Sequence, residues 1–335
     1  MTESRLEAPV AERSGVAGTR GGENPPKTAA FDRVASIFEQ PWWLDAVAPG
    51  RWRAVETRDG NGPRARIVVA GTRRAGFSAA TPPPYTPLQG PWLREVEGGA
   101  AHRLNAQTEA LDELVAALPS LDLIRLGLSP ELPTFLPFVW RGFTAQPRVT
   151  YRLDDLRDLD AVWAGFRQNL RRQVRSAERR LGVRDGDAEA LIAAAAATFA
   201  RQGLALPHAD PLRRLDAALA ARGARRILLA EDAGGRLHAA LLVVWDSHRA
   251  YYLIGGQTDI GRGEGGASLL MWHAIRHAAQ VSRGFDFEGS MIPSIERFFR
   301  SFGARQVPYV EVTKAGRRLA PVLALRDAVR GLRRP

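Results

Sequence analysis

The chain has 335 residues, of which 45% are hydrophobic and 25% charged, and it carries a net charge of +11 and no cysteine. The lack of cysteine excludes disulfides, thiolate metal sites and a cysteine nucleophile. No apolar run approaches the roughly 20 residues that span a bilayer, and the amino terminus lacks the apolar stretch of a signal peptide. A cytoplasmic globular protein with enough residues for two domains is therefore expected.

The excess positive charge is confined to two short segments. Residues 166–184 contain seven arginines and one glutamate, and residues 314–335 contain seven basic residues and one aspartate. The remainder of the chain is close to neutral. Concentrated charge of this kind indicates an anionic partner, such as phosphate groups, a nucleic acid or a membrane surface.

Composition and periodicity divide the chain into five parts. Residues 1–30 have glycines, prolines and balanced charges but almost no large apolar side chains, which predicts a disordered tail. A first domain is predicted over 31–153, a basic linker helix over 154–185 and a second domain over 186–314. The last part, residues 315–335, is predicted to form a basic helix.

The two predicted domains repeat one another at a spacing of 160 residues. Residues 66–70 recur as 226–230, and the block 132–139 recurs as 292–299. The blocks 132–139 and 292–299 are each followed by a Gly-Phe or Phe-Gly pair and then by a predicted strand that contains proline, the first of them over 144–153. Self-similarity of this kind predicts an internal duplication.

The second copy has the clearer order of elements. Two helices are predicted first, at 187–201 and 211–222, the latter with Asp210 as its N-cap. Three antiparallel strands and then a helix, a strand, a helix and a strand follow, at 227–231, 237–245, 250–255, 267–280, 285–288, 294–302 and 307–313.

The segment 262–267 connects a predicted strand to the N-terminus of a predicted helix. Free backbone N–H groups and the helix dipole favour an anion at such a place, and Gly263, Gly265 and Gly266 let the backbone approach it closely. We predict that these glycines, with Arg262 and Ala267, bind phosphates. A flexible glycine-rich turn without a ligand gives the same pattern, so that alternative stays open.

The linker segment is amphipathic. From Trp163 to Leu181 the apolar residues recur every three or four positions, which predicts one stripe that faces a core. Arg171, Arg172 and Arg175 lie on the other faces almost without acidic neighbours, and guanidinium groups bind phosphates bidentately. These arginines are predicted to bind an anion or substrate, although a solvated helix face is the simpler alternative.

Three passages resemble the FemAB-like branch of the GNAT acyltransferase superfamily, often described as BioF-like acetyltransferases. Residues 169–179 are similar to the Arg-rich helix that opens the second domain of that group. The strand and aromatic helix at 285–290 and 295–304 resemble its characteristic pair, which ends in Phe-Gly-Ala. The Pro-rich stretch 82–91 resembles a loop of its first domain, and its Tyr85 is therefore a candidate substrate-binding residue.

The resemblance implies an α/β (α+β) fold of two tandem GNAT-like domains, each with a mixed, largely antiparallel twisted sheet flanked by helices. It also implies transfer of an acyl or aminoacyl group to an amine, for example on a cell-envelope or polysaccharide precursor. Arg262, Gly265 and Ala267 match the pyrophosphate signature of the superfamily, which favours acyl-CoA as co-substrate with no permanently bound cofactor. Aminoacyl-tRNA as donor, or a non-catalytic scaffold that binds a polyanion, are the alternatives.

In the GNAT fold the strands beside the phosphate loop splay apart, and the acceptor amine attacks the donor in that gap. The next strand here carries Asp286 and Glu288 on one face. Glu288 is the first candidate for a general base and Asp286 the second, although contacts at a strand end explain them equally well. Tyr309 or Tyr252 is a candidate for protonating the leaving thiolate.

Two further patterns bear on partners. His273 and His277 have the spacing of metal ligands, but polar neighbours share their helix face, and no metal site is predicted. Leucine and valine alternate with arginine over 317–334, so that this segment suits an anionic membrane surface, or packing on the second domain. The expected location is cytoplasmic, with membrane-peripheral contact as an option.

Overall fold

The structure, a computed structural model, describes residues 36–201 and 203–321. The predicted tail over residues 1–30 and most of the predicted helix over 315–335 lie outside the described residues. The helices are α1 (Pro41–Val47), α2 (Ala100–Ala116), α3 (Leu136–Trp140), α4 (Leu159–Gly165), α5 (Gln168–Glu178), α6 (Ala188–Ala200), α7 (Ala209–Ala220), α8 (Gly266–Val281) and α9 (Pro293–Arg300), after a 3-10 helix (Ile37–Glu39).

The strands form one sheet in the order β1-β2-β3-β5-β12-β6-β11-β10-β9-β8-β7, with β4 beside β2. Most neighbours are antiparallel, and the pairs β3–β5 and β10–β11 are parallel. The strands are β1 (Trp52–Asp59), β2 (Gly62–Arg74), β3 (Phe77–Ala80), β4 (Trp92–Leu93), β5 (Leu123–Gly127), β6 (Thr144–Leu153), β7 (Leu181–Asp185), β8 (Arg225–Asp232), β9 (Leu237–Trp245), β10 (Arg249–Gln257), β11 (Gly284–Asp286) and β12 (Arg305–Ala315).

The last strand of each half pairs with the other half. β6, from the first half, lies between β12 and β11, while β12, from the second half, lies between β5 and β6. β6 and β12 pair antiparallel from Thr144↔Thr313 to Arg152↔Arg305 and form the centre of the sheet. Each half is therefore completed by a strand of the other, and a tandem pair of GNAT-like sheets, as predicted, becomes one continuous sheet.

The strand order corrects one part of the repeat. Counted outward from the centre, the first half runs β5, β3, β2, β1 and the second half runs β11, β10, β9, β8. β2 therefore corresponds to β9, and the match of 66–70 with 226–230, in β8, is wrong. Buried antiparallel strands share apolar runs, which produced the coincidence. The spacing of 160 residues does relate β5 to β11, α3 to α9 and β6 to β12.

The predicted linker helix is broken. The chain is extended at Phe166 and Arg167, which separates α4 from α5, and Leu181 already belongs to β7. The break follows from packing, because the buried Phe166 ring contacts Trp272 of α8 and Phe302 at centroid distances of 5.3 and 5.0 Å. The prediction that Asp210 is the N-cap of this helix was also wrong, because α7 begins at Ala209 and its N-cap is His208.

Helices cover both faces of the sheet in the second half. α6 and α7 pack with α1 on one face of β8, β9 and β10, and α5, α8 and α9 pack on the other. In the first half α2 and α3 cover a separate apolar cluster on β2 and β5. The layers leave the carboxyl ends of the parallel strands β10 and β11 open to the candidate site.

Candidate active site

A narrow cleft lies where β10 and β11 separate. The two strands pair only as far as Tyr251↔Asp286, after which β10 continues to Gln257 while β11 ends. The free volume of the cleft is about 10 Å³, a space that admits about one water molecule. Both halves of the chain line it, through Phe38, Pro87, Leu88, Pro130, Thr150, Tyr251, Asp286, Glu288 and Tyr309.

Glu288 lies two residues after the end of β11, in a left-handed backbone conformation with φ of 57°. The next residue, Gly289, lies against β6, where a Cβ atom would come within 2.0 Å of the Val149 carbonyl oxygen. The Oε1 atom of Glu288 is buried and has no hydrogen-bond partner in the described part of the chain. Burial raises the pKa of Glu288 well above its usual range, and the charge of Asp286 raises it further. This carboxyl group has the environment of a proton acceptor.

Asp286 is committed to hydrogen bonds. Its Oδ2 atom accepts from the Arg152 Nε atom at 2.6 Å, and its Oδ1 atom accepts from the Thr150 hydroxyl and from the Glu288 backbone N–H. The side chains of Arg152 and Asp286 are only 5% and 3% exposed, and Arg152 also pairs with Glu131. A carboxylate held in this way anchors the turn before Glu288 and is a weak candidate for the base.

Two tyrosines flank Glu288. Burial raises the pKa of Tyr309, on β12, to about 12, and the nearby Glu288 carboxylate adds to that effect. Burial and Glu288 raise the pKa of Tyr252, on β10, in the same way. Both phenols therefore keep their protons at neutral pH and can donate them. Tyr309 lines the cleft, whereas the Tyr252 ring packs edge-on against Phe299 at 5.8 Å.

The glycine-rich loop leads into α8 as predicted. Gly265 is its N-cap with φ of 84°, and a Cβ atom there would lie 3.0 Å from the Gln173 side chain of α5. Gly266 is similarly close to Ala239, so packing alone requires small residues at these two positions. Gly263 also has a positive φ but faces open space. Arg262 is exposed, and no ion pair or side-chain hydrogen bond to another described residue engages it.

α5 lies beside this loop. The Ser268 hydroxyl at the start of α8 donates to the Gln173 side-chain oxygen at 3.1 Å. Arg180 pairs with the Glu264 carboxylate and donates to the Glu264 carbonyl oxygen at 3.1 Å. The structure thus brings together the basic helix and the glycine-rich loop, and Arg180 neutralises Glu264, the one carboxylate of residues 262–267.

The three predicted arginines of α5 differ in their surroundings. Arg171 is half-buried and donates to the Ala164 carbonyl oxygen at 3.3 Å, and the Arg175 guanidinium lies 5.6 Å from the centre of the Trp163 ring. Arg172 is exposed to solvent. None of the three forms an ion pair with a carboxylate of residues 36–201 or 203–321.

Tyr85 lies away from Glu288. Its hydroxyl donates to the Pro207 and His208 carbonyl oxygens, both at 3.2 Å, and burial raises the pKa of Tyr85 to about 12. The same Pro-rich loop reaches the cleft through Pro87 and Leu88 instead. The loop of the predicted substrate site therefore contributes, but through apolar residues.

Thr150 and Arg152 were not anticipated. Both lie on β6, and their contact with Asp286 depends on the exchange of strands between the halves. The segment 150–152 gives no signal of this contact by itself. A buried ion pair becomes visible only when the pairing of β6 with β11 is known.

The described residues include neither a candidate metal cluster nor a candidate membrane-spanning helix. No group of three or more histidine, aspartate or glutamate side chains within the described residues is arranged to hold a metal ion. Over the same residues, every helix is too short or too polar to traverse a bilayer.

Comparison with known proteins agrees with the fold. Residues 164–328 match the acetyltransferase (GNAT) domain family. FemX has a similar structure, with a TM-score of 0.64 and 13% identity over 86% of this chain and 94% of its own. The C-terminal domain of a protein described as a lysylphosphatidylglycerol synthetase from Agrobacterium fabrum follows, with a TM-score of 0.51 and 13% identity over 88% and 92%.

A conserved protein of unknown function from Bacteroides thetaiotaomicron also has a TM-score of 0.51, with 10% identity over 84% of this chain and 91% of its own. No curated protein sequence matches the chain significantly. At these identities the structural likenesses concern the fold alone. Residues 164–328 therefore match the acetyltransferase (GNAT) domain family, and the fold of the chain is similar to that of FemX, in agreement with the resemblance to FemAB-like GNAT proteins that its motifs indicate.

Proposed function

We propose that the protein is an N-acyltransferase that moves an acyl group from acyl-CoA to an amine acceptor, such as a small molecule or a cell-envelope or polysaccharide precursor. The observation that carries this proposal is the buried carboxyl group of Glu288, which has an unpaired oxygen and a raised pKa at the point where β10 and β11 part. The acetyltransferase (GNAT) domain match supports the reaction class.

The donor diphosphate binds at the start of α8. Arg262 supplies an unpaired charge, Gly263, Gly265 and Gly266 expose backbone, and Ala267 belongs to the first turn of the helix. The helix dipole and the free N–H groups of that turn favour an anion. Arg171, Arg172 and Arg175 of α5 add positive charge nearby, because α5 packs along the loop.

The proposed reaction includes two proton transfers, one from the acceptor amine and one to the leaving sulfur. Glu288 removes a proton from the acceptor amine, whose nitrogen attacks the thioester carbonyl carbon. A C–N bond forms and the C–S bond breaks, and Tyr309 gives its proton to the leaving sulfur. The proton on Glu288 then returns to the Tyr309 oxygen through the solvent of the cleft, so that the products are the amide and free CoA. Asp286 holds the turn before Glu288.

The first experiment is thermal unfolding of the protein with and without CoA or acetyl-CoA. Binding at 100 times the dissociation constant should stabilise the protein by about 2.7 kcal/mol through linkage. Arg262→Glu should remove most of this stabilisation. Arg276→Glu is the matched control, since Arg276 is also exposed on this part of the chain but lies far along α8. An absence of any shift at millimolar CoA contradicts the proposal.

Aminoacyl-tRNA is the second candidate donor, and exposed arginines in α5 and directly after it favour this donor. Arg172 and Arg179 are exposed, and neither forms an ion pair within the described ranges. Phosphate contacts of this kind make affinity fall steeply with salt. Salt-sensitive binding of tRNA without a CoA shift would support this donor, and binding of neither ligand would leave the non-catalytic scaffold.

A further inference from the structure

α3 has apolar side chains on all of its faces. Phe138 is fully buried beneath it, whereas Leu136, Val139 and Trp140 are 47%, 40% and 63% exposed. Positions 136, 139 and 140 lie on one side of a helix, so these three residues form a single outward stripe, which we call the apolar ridge. A helix that is apolar all round is normally covered on every side. In the described part of the chain, the outer side of α3 is uncovered.

The duplicated half provides an internal comparison. α9 occupies the corresponding place, and its residues 160 positions after Leu136, Val139 and Trp140 are Glu296, Phe299 and Arg300. Phe299 is buried, whereas Glu296 and Arg300 form an ion pair at 2.9 Å. At two of the three ridge positions the fold therefore does not require an apolar residue. The exposed Leu136 and Trp140 of the first half are not explained by folding.

Positive charge adjoins the ridge. The ammonium group of Lys314 donates to the Arg141 carbonyl oxygen, directly after α3, at 2.8 Å, and lies 5.5 Å from the centre of the Phe143 ring. Lys314 has no carboxylate partner in the residues described. The basic C-terminal sequence begins here, with seven lysines or arginines and one aspartate over 314–335. Its Arg318 is still on the first half, 5.7 Å above the Phe77 ring.

We propose that the apolar ridge and the basic segment that begins at Lys314 bind the surface of an anionic lipid bilayer. A bilayer offers both chemistries at once, because the ridge can enter the boundary between head groups and acyl chains while the cations pair with lipid phosphates. Tryptophan is favoured at that boundary. An acidic protein surface would satisfy the charges, but it would leave the exposed ridge of Leu136, Val139 and Trp140 without an apolar counterpart.

The test is co-sedimentation of the full-length protein with vesicles of phosphatidylcholine alone and of phosphatidylcholine mixed with phosphatidylglycerol. The wild type should bind the mixed vesicles, less so as salt is raised, and should bind the neutral ones weakly. Leu136→Ser combined with Trp140→Ser should weaken binding at least about tenfold, because both lost side chains are apolar. The readout needs no catalysis, so it is independent of the proposed donor and acceptor.

The matched control is Met291→Ser combined with Ile292→Ser, two residues that are also largely exposed but precede α9. This variant should bind the mixed vesicles like the wild type. Unchanged thermal unfolding of both variants shows that the fold is intact. The proposal is overturned if the wild type fails to bind mixed vesicles, or if the Leu136 and Trp140 variant binds as well as the control.

Discussion

One matched pair of positions distinguishes the two halves of the sheet. In the second half, Asp286 of β11 stands opposite Arg152 of β6, and the two form a buried ion pair. In the first half, the residues with the same register are Leu126 of β5 and Val312 of β12, which are fully buried and apolar. At this position the sheet therefore contains an ion pair in the second half and two apolar side chains in the first.

The comparison supports the proposal that the second half carries the chemistry. Desolvating an ion pair is costly, and apolar replacements of similar volume are often neutral or stabilising. The first half shows that this position accepts such a replacement, so the fold alone does not require the charges of the second half. The position of Glu288 is taken by Leu128 in the first half, and its loop before α2 contains Glu95 and Glu97, which would repel phosphate.

The largest expected effect comes from breaking the buried pair on one side. Arg152→Met leaves the Asp286 carboxylate buried with its main partner gone, which should lower the free energy of unfolding by about 3–5 kcal/mol. Urea denaturation measures this change. The double variant Arg152→Val with Asp286→Leu copies the first half and should recover most of the lost stability.

The same double variant should not recover transfer activity, because nothing then anchors the turn before Glu288. If it were as unstable as Arg152→Met, the two halves would not be equivalent at this position. If it were both stable and fully active, the ion pair would have no role in the site.

Removal of the proposed base should have the next largest effect. Glu288→Gln keeps the shape of the side chain but cannot accept a proton, and general-base catalysis contributes about 10²–10⁴-fold to rate. We expect a loss of at least about a hundredfold in CoA release from acetyl-CoA with an amine acceptor. The CoA-dependent thermal shift should stay the same. Glu97→Gln, on the exposed loop of the first half, is the control and should react at the wild-type rate.

The pH dependence of stability tests the same residue without any substrate. The folded-state pKa of Glu288 lies well above the ordinary value of 4.5, so between these two values the folded state binds the proton more tightly than the unfolded state. The stability that the protonated Glu288 side chain contributes is present in full below its unfolded-state pKa, and it is lost as pH rises through its folded-state pKa. Glu288→Gln removes that loss, and the variant should gain stability over the wild type as pH increases from 5 to 8.

Urea denaturation at several pH values gives both curves. Parallel curves for the wild type and Glu288→Gln would show that this carboxyl group titrates normally. In that case the unpaired oxygen of Glu288 would not mark a general base. The presence of Leu128 at the matched position of the first half would then no longer support a catalytic role for Glu288.

Local sequence predicted much of this fold because local signals determine it. The strands over 144–153 and 237–245 begin and end as predicted, since each is an apolar or alternating run between turns. Asp286 lies on its strand as predicted, but the strand was predicted to run to 288, and Glu288 lies beyond it in a left-handed turn. Contacts between distant segments were not predictable: Arg152 meets Asp286 only through the exchanged strand, and Phe166 breaks the linker helix because Trp272 and Phe302 pack on it.

The smallest expected effect concerns the loops that precede α2 and α8. The loop before α2 has two exposed glutamates, whereas the two carboxylates of the loop before α8, Asp259 and Glu264, pair with Arg201 and Arg180. The pair of Glu264 with Arg180 is about half exposed. Glu264→Gln should change the free energy of unfolding by less than about 1 kcal/mol, because exposed ion pairs contribute little. It should nevertheless increase the thermal shift with CoA, since it removes a negative charge beside the diphosphate and frees Arg180 to bind it. A decrease would mean that Glu264 orders the loop through Arg180, and that the second half binds its anion by loop geometry more than by net charge.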